Sequence, residues 1–96
     1  MELRFEWDRA KAAKNRLKHR VGFHEASTVF RDALGAIFDD REHSVNEPRE
    51  LIIGQSIRER PLTVSFVEKP EACVRIISAR AATKRETADF EKSRTG

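Results

Sequence analysis

The chain has one cysteine, no tyrosine, one tryptophan, four glycines and three prolines among 96 residues. A lone Cys73 cannot close an internal disulfide. One cysteine and three scattered histidines do not make a structural zinc site. No apolar run approaches the ~18 residues of a membrane helix, so a spanning helix is excluded. The opening residues, Met1 to Asp8, lack the basic-then-apolar pattern of a signal peptide. The expected setting is therefore a reducing cytoplasm, away from membranes. Also missing are a Gly-rich phosphate loop, a His-Glu-x-x-His pair, a serine in a nucleophile-elbow context, internal repeats and low-complexity segments. A chain this short buries only roughly 60–65% of its unfolded surface. It is expected to form one domain, residues 1–96, without a deep substrate cavity.

What is present is charge: 36% of residues are charged and the net charge is +3. Its distribution is uneven. Residues 1–20 hold seven Lys/Arg against three acids, and residues 21–57 hold three against seven. Residues 58–74 balance at three each, and residues 75–96 hold six against three. If the fold brings the two basic ends together, it makes a positive face suited to a polyanion.

Phe5 and Trp7 alternate with charged neighbours, which predicts a short strand. Asp8 offers an N-cap for a helix over about 9–20. Helical spacing predicts an apolar stripe of Ala10, Ala13, Leu17 and Val21, with His19 pointing away from it. A second helix is expected over about 23–32, burying Phe23, Ala26, Val29, Phe30 and Leu34. A short strand at 36–38 and an acidic loop over 39–48 follow. Strands are then expected at 50–56, 62–67 and 73–79, joined by turns at 58–61 and 68–71. Short turns imply an antiparallel meander of four strands. Thr83 and Glu86 match a capping box, so a last helix should run to about 93. Helices grouped around an antiparallel sheet define an α+β fold.

The stretch Val74 to Glu86 is the most informative. Arg75 and Arg80 have opposite strand parity, so the two are expected on opposite faces. Lys84 and Arg85 fall in the first turn of the last helix, against its dipole. The free N–H groups there can hold a phosphate. Cys73 is expected to be a buried, inert thiol. His19 either complements the dipole at a helix end or serves as a proton-transfer or phosphate contact. His24 is expected at the surface, and His43 among the acids of its loop.

An ordered set of residues resembles the BrnT family of small ribonuclease toxins from type II toxin–antitoxin modules. The set is Phe5-Glu-Trp-Asp8, Lys11-Ala, Asn15, Lys18-His19, Phe23-x-Glu25-Ala26, Glu47-x-Arg49, Gly54 and Arg75-Ile-Ile-Ser-Ala-Arg80-x-Ala-Thr-x-x-Glu86. The resemblance covers about residues 4–90. It implies a RelE-like fold and RNA cleavage without metal or other cofactor. It also implies inhibition by a BrnA antitoxin in a complex with two copies of each chain. Operator DNA would be bound only through the antitoxin. Two positions depart from the family pattern. Arg20 stands where a helix-ending glycine is usual, expected to cost about 1 kcal/mol or to shift the helix end. Glu59-Arg60, followed by Pro61, replaces Gly-Arg, and Glu59 is expected to weaken a phosphate pocket.

A metal-free ribonuclease must activate the ribose 2′-OH, stabilise the phosphorane and protonate the leaving 5′-oxygen. Stabilising the phosphorane is an electrostatic task and usually contributes most to the rate. An arginine fork suits it. The expected phosphate clamp is Arg80, supported by Lys84 and Arg60. His19 or Lys18 is the expected proton-transfer group. Arg58 and Arg85 are expected RNA contacts, and Trp7 either stacks on a base or packs in the core. The alternative is a binding module without catalysis, whose acidic 39–50 segment meets a basic partner.

Overall fold

The computed structural model describes residues 2–95. Its elements are β1 (Arg4–Glu6), α1 (Arg9–His19), α2 (Phe23–Thr28), β2 (Ala36–Asp39), β3 (Glu50–Gln55), β4 (Pro61–Lys69), β5 (Cys73–Ala81) and α3 (Lys84–Thr95). A 3₁₀ turn extends α2 through Val29–Arg31, and another spans Arg41–His43 in the acidic loop. The class is α+β, as the pattern of elements requires. The sheet, however, has five strands in the order β1-β5-β4-β3-β2. The antiparallel meander β2–β5 is present, but β1 joins its edge parallel to β5, pairing Phe5 with Val74. The expectation of four strands fails because the helical crossover α1–α2 returns the chain to the opposite edge, leaving β1 free to pair.

One face of the sheet carries α1 and α2. Its core joins Val21, Phe23, Ala26 and Val29 to Ile52, Leu62, Val64, Phe66, Val74, Ile76 and Ala79. Leu62, Val64 and Phe66 share that face, as strict alternation predicts. Gly54 lets the helical layer approach closely: a Cβ there would lie 2.8 Å from Val29 Cγ1. On the other side α3 packs against β3 and buries Phe90. Among the described residues no helix is long and apolar enough to cross a membrane.

Two expectations about side-chain direction are corrected. The first concerns α1. Asp8 does cap it, accepting from Lys11 N at 3.0 Å. Its inner face, however, is Ala12, Asn15 and half-buried His19, while Ala10 and Ala13 are exposed and Leu17 is 86% exposed. A buried asparagine, invisible to an apolar count, sets the helix's rotation. Asn15 Nδ2 donates to Val21 O at 2.9 Å and Ala79 O at 2.8 Å, and its Oδ1 accepts from Ala79 N at 3.0 Å. Beyond the end of β1 the edge of β5 has no strand beside it, and this carboxamide takes the place of one. The second concerns β5. Ser65 pairs with Ser78 but Phe66 pairs with Ile76, so Ile77 is an extra, bulged residue. The bulge reverses parity, and Arg75 and Arg80 therefore face the same side, opposite Val67 and Thr63 respectively.

Candidate functional site

β3 ends, β4 begins, β5 ends and α3 begins at one edge of the molecule. Gln55 pairs with Pro61, Leu62 pairs with Ala81, and Ala82 N donates to Pro61 O at 3.0 Å. The carboxyl end of α1 reaches the same place, because Arg20 O accepts from Arg60 Nη2 at 3.3 Å. Segments 16–20, 58–60 and 80–85 thus gather Arg16, Lys18, Arg20, Arg58, Arg60, Arg80, Lys84 and Arg85. Against these eight cations stand Glu59 and two carboxylates from neighbouring turns, Glu25 and Glu86. The acidic loop 40–49 precedes β3, at the far end of that strand. The two basic stretches of the sequence therefore do meet, and the acidic loop is held away from them, while Glu25 of the acidic middle reaches Arg60.

Arg80 and Arg60 are each gripped by a carboxylate. Arg80 Nη1 and Nη2 donate to Glu86 Oε1 and Oε2 at 2.6 and 2.9 Å, with a long contact from Nη1 to Ala81 O at 3.4 Å. Arg60 Nε and Nη2 donate to Glu25 Oε2 and Oε1 at 2.7 and 2.6 Å. These forks fix both guanidinium planes, and each arginine keeps two of its five N–H donors for another acceptor. Glu86 also closes the capping box: Thr83 N donates to Oε1 at 2.8 Å, and Glu86 N donates to Thr83 Oγ1 at 3.1 Å. Thr63 Oγ1 adds a fourth donor at 3.0 Å. On the other fork, Ser56 Oγ donates to Glu25 at 2.7 Å.

These contacts shift the carboxylates. Arg80 above all, then Thr83 N–H and Thr63, pull the Glu86 carboxyl from the usual 4.5 to about 2, with burial opposing. Arg60 and Ser56 lower Glu25 in the same way against its burial. The folded state therefore prefers both groups ionised. That preference stabilises the fold above pH 4.5 and is lost as pH falls from there toward 2. Urea midpoints should drop across that window. Glu86→Gln should start lower at neutral pH and fall less steeply, which urea titrations from pH 7 to pH 2 will show.

The departures at Arg20 and Glu59 take a definite form. Arg20 has φ 58° and ψ 32°, the left-handed conformation, with its N–H on Arg16 O at 2.9 Å. Glu59 has φ 60°. Two residues with Cβ atoms thus occupy left-handed backbone positions that glycine tolerates best. Arg20→Gly and Glu59→Gly should each raise stability by up to about 1 kcal/mol, read from thermal unfolding.

The other expected site residues are placed as follows. Lys84 and Arg85 are exposed in the first turn of α3, and Lys18 is exposed in the last turn of α1. His19 is half-buried on the inner side of α1, contrary to its expected outward direction, because Asn15 rather than Leu17 defines that side. Trp7 is half-buried, edge-on to Phe23 at 5.9 Å and to His24 at 4.9 Å. It is thus both a core residue and one wall of a groove of about 680 Å³ between α1, α2 and the β3–β4 turn. Arg58, Arg16, His24 and Glu25 line the same groove. Arg16 and His24 were not legible as site residues, because each looks like ordinary helix surface along the chain. Cys73 is buried, and its thiol donates to Glu6 Oε1 at 3.3 Å. Burial and Glu6 push it up, as expected of an inert thiol. His43 Nδ1 lies 3.0 Å from Asp40 Oδ2, within the acidic loop. Among the described residues, no three His, Cys, Asp or Glu side chains are grouped to hold a metal ion.

Residues 7–86 match the family model described as the ribonuclease toxin, BrnT, of type II toxin–antitoxin systems. The fold is similar to the crystal structure of the Brucella abortus ribonuclease toxin BrnT, at 20% identity and a TM-score of 0.67. The similarity covers 86% of this chain and 100% of that one. No curated protein matches the chain.

Proposed function

Since this chain belongs to the BrnT family, the ribonuclease toxins of type II toxin–antitoxin systems, we propose that it is a metal-independent endoribonuclease acting at its cationic edge. In the cytoplasm its cuts would halt translation and growth until a BrnA-like antitoxin neutralises it, in a complex with two chains of each. The antitoxin, not this chain, would contact operator DNA. The observation that carries the reading is the convergence of Arg60, Arg80, Lys84 and the end of α1 at one end of the strands β4 and β5.

Arg80, held flat by Glu86, clamps the phosphate with its remaining donors, and Arg60 and Lys84 share the charge. As the 2′-oxygen attacks phosphorus, it loses its proton and a P–O bond forms. The bond to the 5′-oxygen then breaks, and that oxygen takes up a proton. His19 or Lys18, at the end of α1, serves the proton transfer. Lys18, Arg58, Arg85 and Trp7 hold the flanking RNA. Phosphate recognition of this kind is electrostatic, so affinity should fall with rising salt.

The test is cleavage of a labelled single-stranded RNA by the purified chain, with and without EDTA. Strand scission that survives EDTA supports the reading, and intact RNA in both tubes refutes it. RNA that is bound in a salt-dependent way but never cut would favour a binding module instead.

A further inference from the structure

We propose that the groove between α1, α2 and the β3–β4 turn is a nucleotide-binding subsite, holding one base and its phosphate beside the cationic edge. The inference rests on the ribonuclease reading only in taking the ligand to be RNA. Its floor is Ala12, Ala13 and Phe23, which offer apolar contact without hydrogen bonds. Its aromatic wall is Trp7 and His24, set at 89° to each other with ring centroids 4.9 Å apart. A base has two π-faces and stacks on such a wall whatever its sequence. The volume, about 680 Å³, lies in the range of roughly 300–1,000 Å³ usual for small-molecule sites.

The charges at the rim select the ligand class. Among the described residues no carboxylate pairs with Arg16 or Arg58. Glu25 also lines the groove within electrostatic reach of Arg58, but its oxygens are held by Arg60 and Ser56, and the Arg60 charge offsets its own. The groove therefore combines an aromatic wall, an apolar floor and two guanidinium groups that form no ion pair among the described residues. An anionic ligand with a flat ring matches all three features. The Glu25–Arg60 fork forms the border between this groove and the cationic edge, so a strand seated in one continues into the other.

Trp7 is the one tryptophan and there is no tyrosine, so its fluorescence reports on this groove directly. The probes are the four nucleoside 5′-monophosphates and a 2′-O-methyl oligoribonucleotide, whose blocked 2′-oxygen prevents cleavage. Each should change Trp7 emission saturably, whereas inorganic phosphate alone should not. Arg16→Glu and Arg58→Glu replace exposed side chains, and circular dichroism will show that they fold. Each should weaken binding by about tenfold or more and lower the salt slope. Emission that ignores nucleotides, or that responds equally in both reversed variants, overturns the proposal. So does an Arg16→Glu chain that binds nucleotides normally but escapes its antitoxin, since the groove is then a protein-docking face. Nucleotide binding in a chain that cuts no RNA would sink the ribonuclease reading and keep the subsite. RNA cleavage with a silent Trp7 would do the reverse.

Discussion

Arg80→Ala should lower RNA cleavage by about 10²–10³-fold, the usual cost of removing one donor that meets developing charge in a transition state. The fork that Arg80 makes with Glu86 raises a second explanation, that the variant merely loosens the junction of β5 and α3. Two further variants separate the explanations. Arg80→Lys keeps the charge but loses the planar fork, so it should recover part of the rate. Glu86→Gln keeps the guanidinium and frees it from an ionised partner. It should lose stability, since it gives up the capping-box carboxylate, and cleave RNA more slowly than the wild type but well above Arg80→Ala, because Gln still accepts one bond from Arg80. A role confined to the junction would instead make Glu86→Gln as inactive as Arg80→Ala. Single-turnover rates with labelled RNA, beside urea midpoints for all three, decide the matter. An Arg80→Ala chain that is folded and cuts at the wild-type rate removes Arg80 from the mechanism.

The largest effect on stability should come from a residue outside that edge. Asn15→Ala removes three hydrogen bonds of 2.8–3.0 Å and leaves the Ala79 N–H, the Ala79 carbonyl and the Val21 carbonyl without partners. Ala79 and Val21 are both fully buried, so water does not replace the lost contacts without opening the structure. At about 1–1.5 kcal/mol per bond the loss is on the order of 3–5 kcal/mol. For a domain of this size that is a fall in Tm of roughly 15–30 °C. Asn15→Asp keeps the acceptor for Ala79 N–H but turns a carboxylate toward two carbonyls, and should also unfold early. Leu17→Ala is the contrasting case. The stripe read from helical spacing makes Leu17 a core residue, whereas at 86% exposure its truncation should change stability by no more than about 0.5 kcal/mol. Thermal melts of these three variants test which residue anchors α1.

Those two residues show where a linear reading succeeds and where it stops. Features under local chemical control are readable along the chain. Asp8 and the Thr83–Glu86 box start α1 and α3 because a side-chain oxygen three residues away satisfies a free N–H. Leu62, Val64 and Phe66 turn inward because strand side chains alternate. The basic character of α1 and of the β5–α3 junction is plain composition. Whatever depends on a partner far along the chain emerges only on folding. Asn15 is an ordinary polar helix residue until the open edge of β5, 64 residues later, gives it two bonds beside the one to Val21. The bulge at Ile77 has no local signature, yet it places Arg75 and Arg80 on one face. Arg80 and Arg60 are visible as cations, but their forks with Glu86 and Glu25 are products of folding. Arg16 and His24 become groove residues only when α1, α2 and the β3–β4 turn close around Trp7. Caps and alternation are short-range and leave marks in the sequence, whereas hydrogen-bond pairing and charge convergence are set by which elements the core forces into contact.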